Sequence, residues 1–249
     1  MKKYAIIGGS GLDRLETLAV TARRHVVTPY GLPSGPLCIG QFAGAPVVFL
    51  ARHGEAHRLP PHLVNYRANI AALKAAGVTA IFAVTAVGGI ASDSGPGRLV
   101  LPDQIIDYTW GREHSFADGT ANEVQHVDFT APFSAELRAL LLEVAPDAGV
   151  ELVDGGVYGA TQGPRLETAA EIARMKRDGC TLVGMTGMPE AALAREAGLD
   201  YAMISLVVNW AAGIGGKTIS HAEIGHHLER GMSAVLRLIG RALGVALSR

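Results

Sequence analysis

The sequence predicts an α/β fold on a largely buried sheet. Short Val, Ile, Leu and Ala runs without polar alternation recur along the 249 residues, as in strands covered on both faces. Stretches with helical patterning lie between them, several opening on Pro and closing on Gly, the usual asymmetry of helix ends. No linker, repeat or low-complexity segment divides the chain, so residues 1–249 read as one domain.

In chain order, the first strand, Tyr4 to Ile7, runs into Gly8, Gly9, Ser10 and Gly11. The second, Val47 to Ala51, runs into Arg52, His53 and Gly54, and a helix follows from Pro61 to Ala76, closed by Gly77. A third strand, Ala80 to Val84, ends in a turn-like Thr85, Ala86, Val87, Gly88 and Gly89. Helices are predicted over Pro164 to Asp178 and Pro189 to Ala197, closed by Gly179 and Gly198; between them the strand Leu182 to Met185 ends at Thr186 and Gly187. The strand Ala202 to Val208 reaches Asn209 and Trp210, and an amphipathic helix runs from about His221 to Leu247. Ligands of open α/β sheets sit beyond the carboxyl ends of the strands. That rule gathers Ser10, Arg52, His53, Thr85, Met185, Thr186 and Asn209 into a candidate site for a polar, anionic ligand.

Composition narrows the classes. With 49% hydrophobic residues and 22 Lys and Arg against 23 Asp and Glu, disorder is disfavoured and no global field attracts nucleic acid. Cys38 and Cys180 are too few for a disulfide framework or a zinc site. The run after Lys2 and Lys3 is too short for a signal peptide, and the uncharged stretch 201–216 is too short for a membrane span. A cytoplasmic protein is expected. The 31 glycines exceed the usual share of about 7% and have no triplet period, so they imply many tight turns.

Several motifs are incomplete. G-x-G-x-x-G would need glycine at Arg14, and G-x-S-x-G fails at Leu12. Ser10 then reads as a hydroxyl in a glycine-rich anion nest, or as plain turn chemistry. Residues 211–218, AAGIGGKT, approach a Walker A loop, but too little chain follows to supply a Walker B acid; a P-loop nucleotide-binding module is the alternative of a different class. His53 and His57 flank a misplaced Glu55, so H-E-x-x-H is not met.

Six spaced motifs, in order, resemble the methylthioadenosine/purine nucleoside phosphorylase family. They are Ile6 to Leu12; Ala51 to Gly54 with His57; Val64 to Ile70; Thr85 to Gly88; Gly163 to Thr168; and Met185 to Glu190. The resemblance implies a three-layer αβα sandwich with a mixed, partly barrel-like sheet, a homotrimer with its active site at a subunit interface, and reversible phosphorolysis of an N-glycosidic bond. Inorganic phosphate is the co-substrate, and no metal or organic cofactor is implied. It assigns Ser10, Arg52, His53, Thr85, Ala86 and Thr186 to phosphate, Met185 to the ribose, and Asn209 and His53 to catalysis. Leu166, Glu167, Trp210, Ala211, His126 and His221 complete the expected substrate-binding set.

The base end discriminates within that family. Its adenine-specific members carry two aspartates where this chain has Asn209 and Ala211. An asparagine amide can serve O6 and N7 of a 6-oxopurine. A carboxylate at Glu167 can accept the N1–H that hypoxanthine and guanine have and adenine lacks; its alternative reading is a helix N-terminal residue favoured by the dipole. At the 5′ end most motifs resemble the methylthio branch, whose neighbouring subunit supplies a histidine at His126, whereas His221 resembles the purine nucleoside branch. Together these point to S-methyl-5′-thioinosine, ahead of inosine or guanosine and then methylthioadenosine.

Overall fold

The computed structural model describes residues 2–119, 124–216 and 219–249, with His221 described by its backbone alone. Strand β1 (Tyr4–Gly8) lies parallel between β4 (Ala45–Ala51) and β5 (Ala80–Gly89), Ile6 pairing with Phe49 on one side and Phe82 on the other. The antiparallel strands β2 (Ala19–Arg24) and β3 (Leu37–Phe42) extend the β4 edge. Strand β5 is where the sheet branches. Along its length it pairs in parallel with β11 (Asp200–Trp210), while its last residues, Gly88 and Gly89, pair with the antiparallel β10 (Leu182–Gly184). One arm continues through β9 (Val157–Ala160) to β7 (Gln104–Asp107), the other from β11 through β6 (Leu99–Leu101) to β8 (Leu152–Asp154). Among the described residues these make one mixed sheet of 11 strands.

Alternation within the strands sorts the helices into two outer layers. Tyr4 and Ile6 join a core with α2 (Ala135–Val144) and α5 (His221–Ser248), whereas Ala5 and Ile7 join one with α1 (Tyr66–Ala75) and α4 (Gly187–Glu196). Each fully buried Leu or Ile contributes about 1.5–3 kcal/mol, so slipping β1 by one residue would exchange both layers at once. A third, smaller core forms where α3 (Ala169–Arg177) sets Ile172 and Met175 against Val183 and Ala211.

Three expected elements need correction. The helix predicted from Pro61 is a 3₁₀ turn over Pro61–Leu63, then an extended Val64, then α1, capped by the Asn65 side chain on Ala68 N. The helix predicted from Pro164 begins only at Ala169, where Thr168 and Glu171 form a reciprocal capping box. Residues 85–89 and 209–210, read as strand-end turns, lie inside β5 and β11. The closing glycines were read correctly: Gly77, Gly179 and Gly198 have φ of 79°, 94° and 67°.

The expectation of no membrane span, based on 201–216, passed over α5. Residues Ala222–Ser248 are long and apolar enough to cross a membrane by length and composition. In the fold, however, Val235, Leu238, Ile239, Ala242 and Leu243 of that helix are fully buried in the core shared with β11 and α2.

Candidate active site

A cleft of about 590 Å³ opens beside the branch point of the sheet. Ten of the predicted site residues line it: Ser10, Arg52, His53, Thr85, Ala86, Leu166, Glu167, Met185, Thr186 and Asn209. They arrive from β1, β4, β5, β11 and the loops before α3 and α4 because all these segments meet at the end of the short strand β1.

The deepest group is an ion pair. Arg52 donates from Nε and Nη2 to the two carboxylate oxygens of Glu190 at 2.6 and 2.7 Å, and from Nη1 to Val84 O at 2.8 Å; both side chains are 0% exposed. Tyr201 Oη donates to Glu190 Oε1 at 2.8 Å. Burial works against the guanidinium charge, but the facing carboxylate outweighs it and raises the Arg52 pKa above its ordinary value. Gly9 makes room for this group: a Cβ there would stand 2.7 Å from Val84 O and 2.8 Å from Arg52 Nη1. The pair is therefore close to neutral overall, and one N–H on each terminal nitrogen is left for a ligand.

His53 is buried in the same wall. Its Nδ1 lies 2.8 Å from Leu59 O, so Nδ1 carries the hydrogen and Nε2 is left as an acceptor. Burial, and next the Arg52 charge, pull its pKa down to about 4. Thr85 Oγ1 meets Ser205 Oγ at 3.0 Å across the β5–β11 pair. Thr186 immediately precedes α4, and its hydroxyl makes no capping bond. Met188, the second residue of that element, is extended at φ −117° and ψ 139°, so regular helix starts only beyond it; hydroxyls and a guanidinium edge suit an anion.

At the opposite chemical end, Thr161 Oγ1 donates to Glu167 Oε1 at 2.6 Å. Asn209 Nδ2 donates to Trp210 O at 2.8 Å, leaving its second N–H and its oxygen for a ligand. The register of β11 shifts between Val207 and Asn209, which locally re-aims the strand at this point.

The remaining predicted residues are placed elsewhere. Trp210 does not line the cleft: its ring packs where a Cβ on Gly95 or Gly215 would stand, so it fills the space between two loops. Ala211 is buried beneath α3 in the third core. His126 is exposed and outside the lining of this chain's own cleft. The side chain of His221, and Lys217 and Thr218 of the Walker-like stretch, lie outside the described residues.

Residues 3–244 match the model of the phosphorylase superfamily. The chain belongs to the phosphorylase superfamily. Among its curated relatives, a probable S-methyl-5′-thioinosine phosphorylase of Xanthomonas campestris pv. campestris is 56% identical over 237 residues, 95% of each chain. A protein of the same name from Pseudomonas syringae pv. tomato is 54% identical over 99% of this chain and 100% of its own. A probable 6-oxopurine nucleoside phosphorylase of Thermococcus kodakarensis is 42% identical over 98% and 92%. Among solved structures, methylthioadenosine phosphorylase from Schistosoma mansoni in complex with adenine superposes with a TM-score of 0.94 at 32% identity, covering 100% of this chain and 93% of that one.

In this phosphorylase-superfamily cleft, sequence reasoning missed the residues that support the lining. Glu190 was quoted only as part of a motif, although a carboxylate inside an otherwise apolar segment signals a buried partner. Thr161 and Arg112 carried no motif, and their partners lie too far along the chain to be read from spacing.

Proposed function

We propose that the cleft catalyses reversible phosphorolysis of S-methyl-5′-thioinosine, yielding hypoxanthine and 5-methylthioribose 1-phosphate. The observation that carries this reading is Glu167, a half-buried carboxylate on the cleft wall with one oxygen held by Thr161. The N9–C1′ bond breaks with its electron pair passing to the purine, and a phosphate oxygen bonds to C1′. The site must therefore hold phosphate beside an oxocarbenium-like sugar and stabilise negative charge on the base. In this reading Ser10, Arg52, His53, Thr85, Ala86 and Thr186 hold phosphate, Met185 underlies the ribose, and the Asn209 amide stabilises the departing purine.

Base selection follows from acceptors and donors. Glu167 accepts N1–H from hypoxanthine, whereas adenine would present a lone pair to a carboxylate, a mismatch of a few kcal/mol. At the 5′ end, Ile224, Leu59, Pro60 and Pro61 add apolar surface to the lining, which suits a thioether. The reading includes phosphate as co-substrate without a metal or organic cofactor, a cytoplasmic setting, and a homotrimer in which the exposed His126 serves a neighbouring subunit.

The test is hypoxanthine or base release from S-methyl-5′-thioinosine, inosine, guanosine and methylthioadenosine, each with and without phosphate. Release should require phosphate, with kcat/KM highest for methylthioinosine and about 100-fold or more lower for methylthioadenosine. Release that proceeds equally without phosphate would make the protein a hydrolase; a clear preference for inosine would overturn the 5′ reading. Asn209→Asp should move the ratio of 6-amino to 6-oxo activity upward by about tenfold, the worth of one hydrogen bond; an unchanged ratio would remove Asn209 from base selection.

A further inference from the structure

Arg112 lies in the loop between β7 and α2, outside the cleft lining, and its guanidinium has every donor engaged. Nε donates to Gln162 Oε1 at 3.1 Å. Nη1 donates to Met185 O at 2.9 Å and Met188 O at 2.6 Å. Nη2 donates to Thr161 O at 3.2 Å and Gln162 O at 2.8 Å. The five N–H groups of an arginine are thereby accounted for, with Tyr66 Oη a longer contact at 3.5 Å and the Tyr66 ring 5.6 Å from the guanidinium carbon.

Those carbonyls belong to two segments that leave the paired strands β9 and β10, whose register reaches Ala160 and Gly184 and is prolonged by the Thr161 N–H on Gly184 O at 2.8 Å; Arg112 ties the two segments together beyond that point. One, 161–162, leads to Glu167 and supplies the Thr161 hydroxyl that binds it; the other, 185–188, carries Met185 and Thr186 and opens α4. We propose that Arg112 is a positioning residue that locks the base-side segment to the ribose- and phosphate-side segment, so that Glu167, Met185 and Thr186 meet one nucleoside in a single geometry. A planar fork can reach four carbonyls and an amide oxygen at once, whereas a lysine has three donors on one atom and cannot span both segments. Misplacement of reacting groups by about 1 Å costs on the order of 100-fold in rate, which sets the effect expected from losing the lock. The inference rests on the assignment of the cleft to nucleoside and phosphate.

Arg112→Ala and Arg112→Lys are compared with the unchanged protein by thermal melting and by steady-state kinetics with nucleoside and phosphate varied separately. Both variants should lose about 100-fold in kcat/KM for the nucleoside, most of it in kcat, and remain folded at the assay temperature. Guanidinium ion at tens of millimolar should restore Arg112→Ala at least tenfold, with sodium chloride and urea giving no rescue. Kinetic constants within twofold of the unchanged protein in a folded Arg112→Ala would overturn the proposal. So would a loss matched by the fraction unfolded, with Arg112→Lys fully active and no guanidinium rescue, since that is a merely structural residue. Absence of phosphate-dependent turnover in the unchanged protein would instead fail the functional reading.

Discussion

Replacing Glu190 with alanine is expected to destabilise the protein by about 3–5 kcal/mol, the cost of leaving a buried charge without its partner. Arg52 is 0% exposed and sends two of its donors to this one carboxylate, and among the described residues no other acidic side chain pairs with it. For a chain of this length the melting temperature should fall by about 6–20 °C. A drop under about 2 °C would show that Arg52 finds water or another acceptor. The double variant Arg52→Met, Glu190→Leu separates stability from function. An ion pair exchanged for apolar residues of similar volume is often neutral for folding, so the double variant should recover most of the lost stability. Activity should not return, because the guanidinium edge beside Gly9 is gone. If Arg52 acts only in folding, activity will return with stability.

The pair also bears on how a chain with net charge −1 holds an anion. Arg52 brings a positive charge to the cleft wall and Glu190 cancels it, so under the proposed function attraction for phosphate would fall to oriented donors: spare N–H groups and the hydroxyls of Ser10, Thr85 and Thr186. In the proposed reaction such preorganised dipoles would need no reorganisation as negative charge passes from the phosphate and the glycosidic bond to the departing base.

The parts of the fold that were legible in the sequence are those fixed by local chemistry. Continuous apolar runs in β1, β4 and β11 announced strands covered on both faces, and the three glycines at positive φ announced helix ends. Pro61 and Pro164 were misleading because proline serves a turn as well as a first helical turn. The better signals were Asn65 and the Thr168-to-Glu171 box, both readable by the same rules. Thr85 to Gly89 looked like a turn because Gly-Gly usually marks one. Pairing with β11 on one side and β10 on the other overrode that tendency, and it is this continuation that carries Thr85 into the cleft. The short strands β6 to β10 are three or four residues long and have no periodicity of their own to read. Glu190 pairs with Arg52 across 138 residues, and Arg112 reaches Met188 across 76. Such supports belong to the assembled fold, whereas lining residues sit in local motifs beside glycines.

His53 supplies the second large effect, this time through pH. Its Nδ1–H is fixed on Leu59 O, its ring lies 4.3 Å from that of His57 at a 31° tilt, and burial with the Arg52 charge holds its pKa near 4 rather than the ordinary 6.5. A folded pKa below the unfolded one means that the unfolded chain binds the proton first as pH falls. The stability due to a neutral His53 is therefore complete above about pH 6.5 and is lost progressively down to about pH 4, a contribution of roughly 3 kcal/mol. Other groups titrate over the same range, so the measurement is a difference: denaturant midpoints of the unchanged protein and His53→Asn at pH 7 and at pH 4.5. The variant should show the shallower decline toward acid; parallel declines would mean that His53 is not held neutral by its surroundings. The same neutrality defines what His53 offers a ligand. With Nδ1 occupied, Nε2 is a lone pair, so under the proposed function it would accept a hydrogen from a protonated phosphate oxygen and leave the unprotonated oxygens to Arg52 and the hydroxyls. Acidification below about pH 4 should thus weaken phosphate binding in any fraction that remains folded, because Nε2 then becomes a donor where the proposed contact needs an acceptor. Binding that strengthens on protonation would assign His53 the opposite role, a cation for the anion.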